Sequence, residues 1–150
     1  MAIEESKIYE ESCTAFRHYS TAVMNVRMLV FAQGFVVLTG VGYLINSKEY
    51  LEALFSSIFG IGFTSILGMI QWSYYNHANN ILKFLLSFEL KVSSNQEDYG
   101  PWNVYAKEKN KRYESAFFKT LIVYGPYLLF LIAFFILFIW TFILYISKIS

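Results

Sequence analysis

Three long stretches of this chain carry no charged residue, and they limit its fold more than any other feature. They are residues 28–47 between Arg27 and Lys48, 53–82 between Glu52 and Lys83, and 120–147 between Lys119 and Lys148. An α-helix of about 20 apolar residues covers a hydrocarbon core of ~30 Å, and each stretch reaches that length. A soluble bundle with long buried helices is the alternative. The run "LLFLIAFFILFIWTFILYI" (128–146) argues against it. It is apolar on every face, so a small bundle would leave a large exposed apolar patch. Only 15% of the residues are charged, against roughly 25% in soluble domains. The pattern predicts three spans, near 28–46, 53–74 and 124–146.

The fold class expected is an all-α membrane protein with three transmembrane helices and long cytoplasmic helical extensions. Its parts are a cytoplasmic amphipathic helix (1–27), a transmembrane hairpin (28–76), a cytoplasmic helical region (77–119), and a third transmembrane helix with a short tail (120–150). "NSKEY" (46–50) is a short connection that makes the first two spans antiparallel. Pro126 in "YGPY" suits a first helical turn or a kink at the membrane surface. The first 27 residues do not read as a signal peptide. Glu4, Glu5, Glu10 and Glu11 outweigh Lys7, Arg17 and Arg27, whereas a secretory leader begins short and positive. With three spans, one side carries Lys7, Arg17, Arg27, Lys83, Lys91, Lys107, Lys109, Lys111, Arg112 and Lys119, and the other only Lys48 and Lys148. That imbalance predicts an amino terminus in the cytoplasm and a carboxyl terminus outside.

The cytoplasmic part is expected to be helical. Tyr9, Cys13, Phe16, Tyr19 and Val23 recur at helical spacing. "NNILKFLLSFELKV" (79–92) has no proline or glycine and continues the second span, with Ile81, Leu85, Phe88 and Val92 on a shared face. After the loop "SSNQEDYGP" (93–101), another helix is expected from about Asn103. Its face would hold Tyr105, Tyr113, Ala116, Phe117 and Leu121, and Glu108 would pair with Arg112.

Helices in lipid associate through close packing at small residues. Span two carries Ser56, Gly60, Thr64 and Gly68 at four-residue intervals, and span one carries Gly34 and Gly40. The hairpin places Gly40 level with Phe59 and Gly60, and Gly34 level with Ser65. Plain hairpin packing accounts for such a stripe. The functional alternative is a face that meets copies of itself or lines a narrow polar passage. Span three is rich in phenylalanine and is expected to face lipid. A polar layer of Asn25, Arg27, Gln33, Gln71, Asn76 and His77 is expected at the inner membrane boundary. Trp72, Tyr74 and Tyr75 make an aromatic belt there, and Arg27 snorkels to phosphate or stacks on Trp72. Gln33 lies inside the apolar span, where an unpaired amide is costly.

No constellation for catalysis stands out, so no enzyme, cofactor or metal is expected. His18 and His77 are the only histidines and Cys13 the only cysteine, so no ligand spacing arises. No span holds a carboxylate of the kind used in proton-coupled transport. "KEKNKR" (107–112) reads as a solvated basic flank, with anionic lipid or RNA contact as alternatives. Nucleic acid is not an expected partner.

Three segments carry a resemblance: "AVMNVRMLVFAQGF" (22–35), "YYNHANNILKFLLSFE" (74–89) and "YGPYLLFLIAFFILF" (124–138). In this order the chain resembles small prokaryotic membrane proteins of the RipA kind, the related membrane accessory protein of type VI CRISPR systems, and the SLATT group of defence-associated proteins. The resemblance implies a homo-oligomeric ring, an octamer among the sizes, in the inner membrane. It also implies phage defence by disturbing the membrane. The accessory protein's spaced Arg/His motif has no counterpart, because Arg17 and His18 are adjacent, so no catalytic residue carries over. The expected function is a pore-like or membrane-perturbing homo-oligomer. The alternative is a non-conducting scaffold that presents its cytoplasmic helices to a protein partner.

Overall fold

The computed structural model describes residues 2–92, 100–102, 104–106 and 116–149, with side chains from residue 5 to 91, at 100–102 and 104–106, and from 123 to 149. The expected basic segment 107–112, the Glu108–Arg112 pair and the side chains of Tyr113, Ala116, Phe117 and Leu121 lie outside that description. Three helices account for most of the rest: α1 (Ala2–Asn46), α2 (Tyr50–Val92) and α3 (Ala116–Ile149). Each is long and apolar enough to cross a membrane. The amino-terminal helix and the first span form one unbroken helix, and so do the second span and its extension. No proline interrupts α1 or α2, so the backbone ladder has nothing to break it. Pro126 lies inside α3, beyond its first turn.

The α1–α2 turn is set by local hydrogen bonds. Lys48 takes a left-handed conformation (φ 62°). The Glu49 amide then donates to the Leu44 carbonyl at 2.9 Å, and the Lys48 amide to the Ile45 carbonyl at 3.0 Å. This is the Schellman closure, which satisfies carbonyls left open at a helix end. Glycine usually fills that left-handed position; here a lysine holds it.

The chain divides into two compact units. The first comprises residues up to Met24 with Gln71–Thr120, and the second comprises Asn25–Ile70 with Leu121–Ser150. In the first unit, Phe16, Ala78, Leu82 and Leu85 form the core, with Tyr9, Cys13, Tyr19, Ile81, Leu86 and Trp102 packed against it. The expected α1 face is therefore the one that is buried. In the second unit, the buried positions are Val26, Val30, Gly34 and Val41 on α1; Ala53, Ser57, Gly60, Thr64 and Leu67 on α2; and Val123, Tyr127, Phe130, Phe134 and Thr141 on α3. On α2 these alternate by four and three residues, the spacing of a knobs-into-holes seam.

The α3 pattern corrects one expectation. The third span, expected to face lipid, packs against glycines of α1 and α2 along one stripe. Phe134 is fully buried, while Phe135 next to it is 57% exposed. One stripe of the helix packs inward and its flanks remain outward.

Candidate functional site: the glycine seam and its polar neighbours

Each inward glycine of the second unit lies under an aromatic ring of α3. A side chain added at Gly34 would overlap the Phe130 ring. At Gly60 the added carbon would stand 3.0 Å from Phe134, and at Gly68 3.4 Å from Tyr127. The rings continue along the helix: Phe130 and Phe134 stack with centroids 6.1 Å apart, and Phe31 and Phe35 meet Phe130 edge-on at 5.9 and 5.8 Å. Small residues let backbones approach in lipid. Here they admit rings from the same chain.

Of the expected stripe, Ser56 is only half-buried and Gly68 likewise, whereas Ser57, which sequence reasoning passed over, is fully buried. Four-residue steps rotate by about 40° each around a helix, so Ser56 and Gly68 cannot share one narrow line. The alternating four-three spacing through Ala53, Ser57, Gly60, Thr64 and Leu67 keeps to a line far better. That period was readable in the sequence and identifies Ser57. Gly40 has no atom within 4 Å of an added side chain. With Ser56 it lines a groove of about 400 Å³ whose other walls are Val36, Val37, Phe55 and Phe59.

Polar groups in this unit are mostly satisfied locally. Ser57 Oγ donates to the Ala53 carbonyl at 2.9 Å, and Thr141 Oγ1 to the Leu137 carbonyl at 2.8 Å, the back-bonding that lets hydroxyls sit inside an apolar helix contact. Thr64 Oγ1 donates to Gln33 Oε1 at 3.2 Å, close to the register expected for the hairpin. Among the described residues, Gln33 Nε2 and Arg27 Nε are buried donors without partners. At the end of this unit that holds the hairpin turn, Lys148 Nζ donates to the Lys48 carbonyl at 3.3 Å and lies over the Tyr50 ring at 5.6 Å.

The expected polar layer divides between the units. Asn25, Arg27 and Gln33 belong to the second, and Gln71, Asn76 and His77 to the first. Asn25 is exposed; Gln71 is fully buried; Asn76 is half-buried. His77 is exposed and stacks on Tyr19 at 5.4 Å.

A polar cluster missed by sequence reasoning lies in the first unit. Glu89 is 7% exposed. It accepts from the Tyr9 hydroxyl at 3.0 Å and from the Trp102 amide at 3.2 Å. Gly100 has φ 142°, where L side chains are strained, and its missing side chain leaves room for the Glu89 carboxylate. Trp102 and Tyr105 close edge-on against Phe16 at 4.8 and 6.0 Å. Burial and the Glu89 carboxylate push the Tyr9 phenol up to about 12. Glu89 thus fastens the backbone near Trp102 to both long helices. Among the described residues no three His, Cys, Asp or Glu side chains come together as a metal site.

Searches against protein-family models, curated proteins and solved structures found no match to this chain.

Proposed function

We propose that this chain is a multi-pass protein of a bacterial inner membrane that assembles as a homo-oligomer and alters membrane permeability, in defence against phage. The amino terminus lies in the cytoplasm and the carboxyl terminus outside. The observation that carries the membrane part is the trio of long apolar helices whose flanks stay outward, as with Phe35, Phe59 and Phe135 at 62, 61 and 57% exposure. Lipid is the solvent that tolerates such flanks. The basic-residue imbalance supports the orientation, and the resemblance to RipA- and SLATT-type proteins supports the assembly and the pathway. Because Gly34, Gly60 and Gly68 are filled by α3, contact between copies falls to the open face around Gly40 and Ser56.

The test has two parts. Particle images in detergent should show a closed ring, and induction under a triggering stimulus should collapse the membrane potential. A monomer in every detergent and a retained potential would overturn the reading.

One observation favours a second reading, a non-conducting scaffold. The face expected to line a passage is occupied within one chain by Phe134, Gln33 and Tyr127. A scaffold would bind a cytoplasmic protein through residues 77–119 and pass no current in planar bilayers.

A further inference from the structure

We propose that Arg27 is a binding site for the phosphate of an anionic phospholipid, resting on the membrane reading above. Arg27 is the last charged residue before the uncharged run 28–47. It is half-buried on α1, and its Nε is buried without a hydrogen-bond partner. Among the described residues, that nitrogen has no acceptor. The charge of Arg27 acts on the Tyr127 phenol of α3, which is 4% exposed. A guanidinium is always charged and has only donors, five of them in a planar fork. What its Nε lacks here is an acceptor. A phosphate diester supplies one, and negative charge with it, in the two-pronged geometry that guanidinium favours.

The position fixes the source of that phosphate. From Arg27 to the end of α1 at Asn46 is about 30 Å of helix, and from Tyr127 to Lys148 on α3 is about the same. Lys48 and Lys148 meet at one end of the unit. Arg27 and Tyr127 therefore stand one hydrocarbon thickness away from that end, at the level where lipid phosphates begin. Lipid phosphate is held at that depth permanently, whereas a free anion must be drawn there from solution. The charge on Arg27 favours a lipid with net negative charge over a zwitterionic one.

The full chain in mild detergent can be examined by native mass spectrometry with phosphatidylglycerol or phosphatidylcholine. The wild type should retain phosphatidylglycerol in preference. Arg27→Gln should lower that retention roughly fivefold, Arg27→Lys should fall between, and Lys83→Gln should leave it unchanged. Equal retention by Arg27→Gln and wild type overturns the site. Displacement of the lipid by inorganic phosphate at matched concentration assigns the site to free anions and overturns the lipid. A measurement without variants guards against misfolding: the wild-type melting temperature in nanodiscs should be higher with phosphatidylglycerol than with phosphatidylcholine, and no difference counts against the proposal. Carbonate extraction separates the two readings. A wild type released as a peripheral protein sinks the membrane reading itself, whereas an integral protein with no lipid preference sinks only Arg27.

Discussion

Alanine at each inward glycine sets two opposed effects against each other, and the geometry ranks the outcomes. In a helix interior, glycine to alanine gains about 0.5–1 kcal/mol from backbone entropy. Overfilling a packed contact costs about 1–3 kcal/mol. At Gly68 the new carbon stands 3.4 Å from Tyr127, an ordinary contact, so Gly68→Ala should keep nearly the whole gain. At Gly60 the ring of Phe134 at 3.0–3.1 Å must yield slightly, and the two effects should nearly cancel. At Gly34 the carbon would overlap Phe130, so Gly34→Ala should lose about 0.5–2 kcal/mol net. The extremes of the series then differ by about 1–3 kcal/mol. Reversible unfolding in mixed micelles, followed by circular dichroism, gives the ranking. The mechanism predicts a rescue as well. Phe130→Leu alone leaves a void, but in the Gly34→Ala chain the new methyl fills part of it, with a favourable coupling of about 1 kcal/mol. If the three alanine variants behave alike, or if Gly34→Ala and Phe130→Leu add without coupling, ring-on-glycine packing is not what holds α3 in place.

Other outcomes follow from the polar contacts. Tyr9→Phe removes a hydrogen bond to a charged acceptor and should destabilise the first unit by about 1.5 kcal/mol or more, seen as a lower unfolding midpoint in the same micelle assay. The Tyr9 phenol is raised from 10 to about 12 in the folded chain. Its contribution is therefore complete below pH 10, where folded and unfolded chains both hold the proton, and is lost as pH rises from 10 towards 12. An alkaline melt should show that fall in wild type and a flatter profile in Tyr9→Phe. Lys48→Val places a branched side chain in the left-handed turn and should lose about 1–2 kcal/mol, while Lys48→Gly should stay within about 1 kcal/mol of wild type in the same micelle assay. Gln33→Leu removes the unpartnered Nε2 and leaves Thr64 to bond back along its own helix. Its stability should match or exceed wild type, and a loss above about 2 kcal/mol would mean that the amide has an acceptor in the membrane.

The helices were legible in the sequence because the signal is collective. Dozens of uncharged residues repeat the same message, and one substitution would not alter it. Long α2 followed from the lack of proline and glycine beyond Gln71, and the buried α1 face from the spacing of Tyr9, Phe16 and Val23. The candidate site was legible only in part. Of the glycines identified from the sequence, Gly34, Gly60 and Gly68 lie at close contacts, with rings of α3, and Gly40 faces open space. A four-residue stripe and a four-three seam share Gly60 and Thr64, but only the second keeps to one line of the helix, and it selects Ser57, which is fully buried, over Ser56. Glu89 was invisible because its partners, Tyr9 and the Trp102 amide, are distant along the chain or belong to the backbone.

The sequence by itself determined that this chain has three helices able to cross a membrane, where they turn, and which positions are small enough for close approach. Those properties come from residue type and spacing along one strand of chain. Only the tertiary structure decided that Phe130, Phe134 and Tyr127 fill the glycine seam, and that Arg27 Nε lacks an acceptor among the described residues. A glycine specifies that something may come near. Which ring arrives depends on the register of a helix far along the chain, and that is settled by volume and contact rather than by pattern.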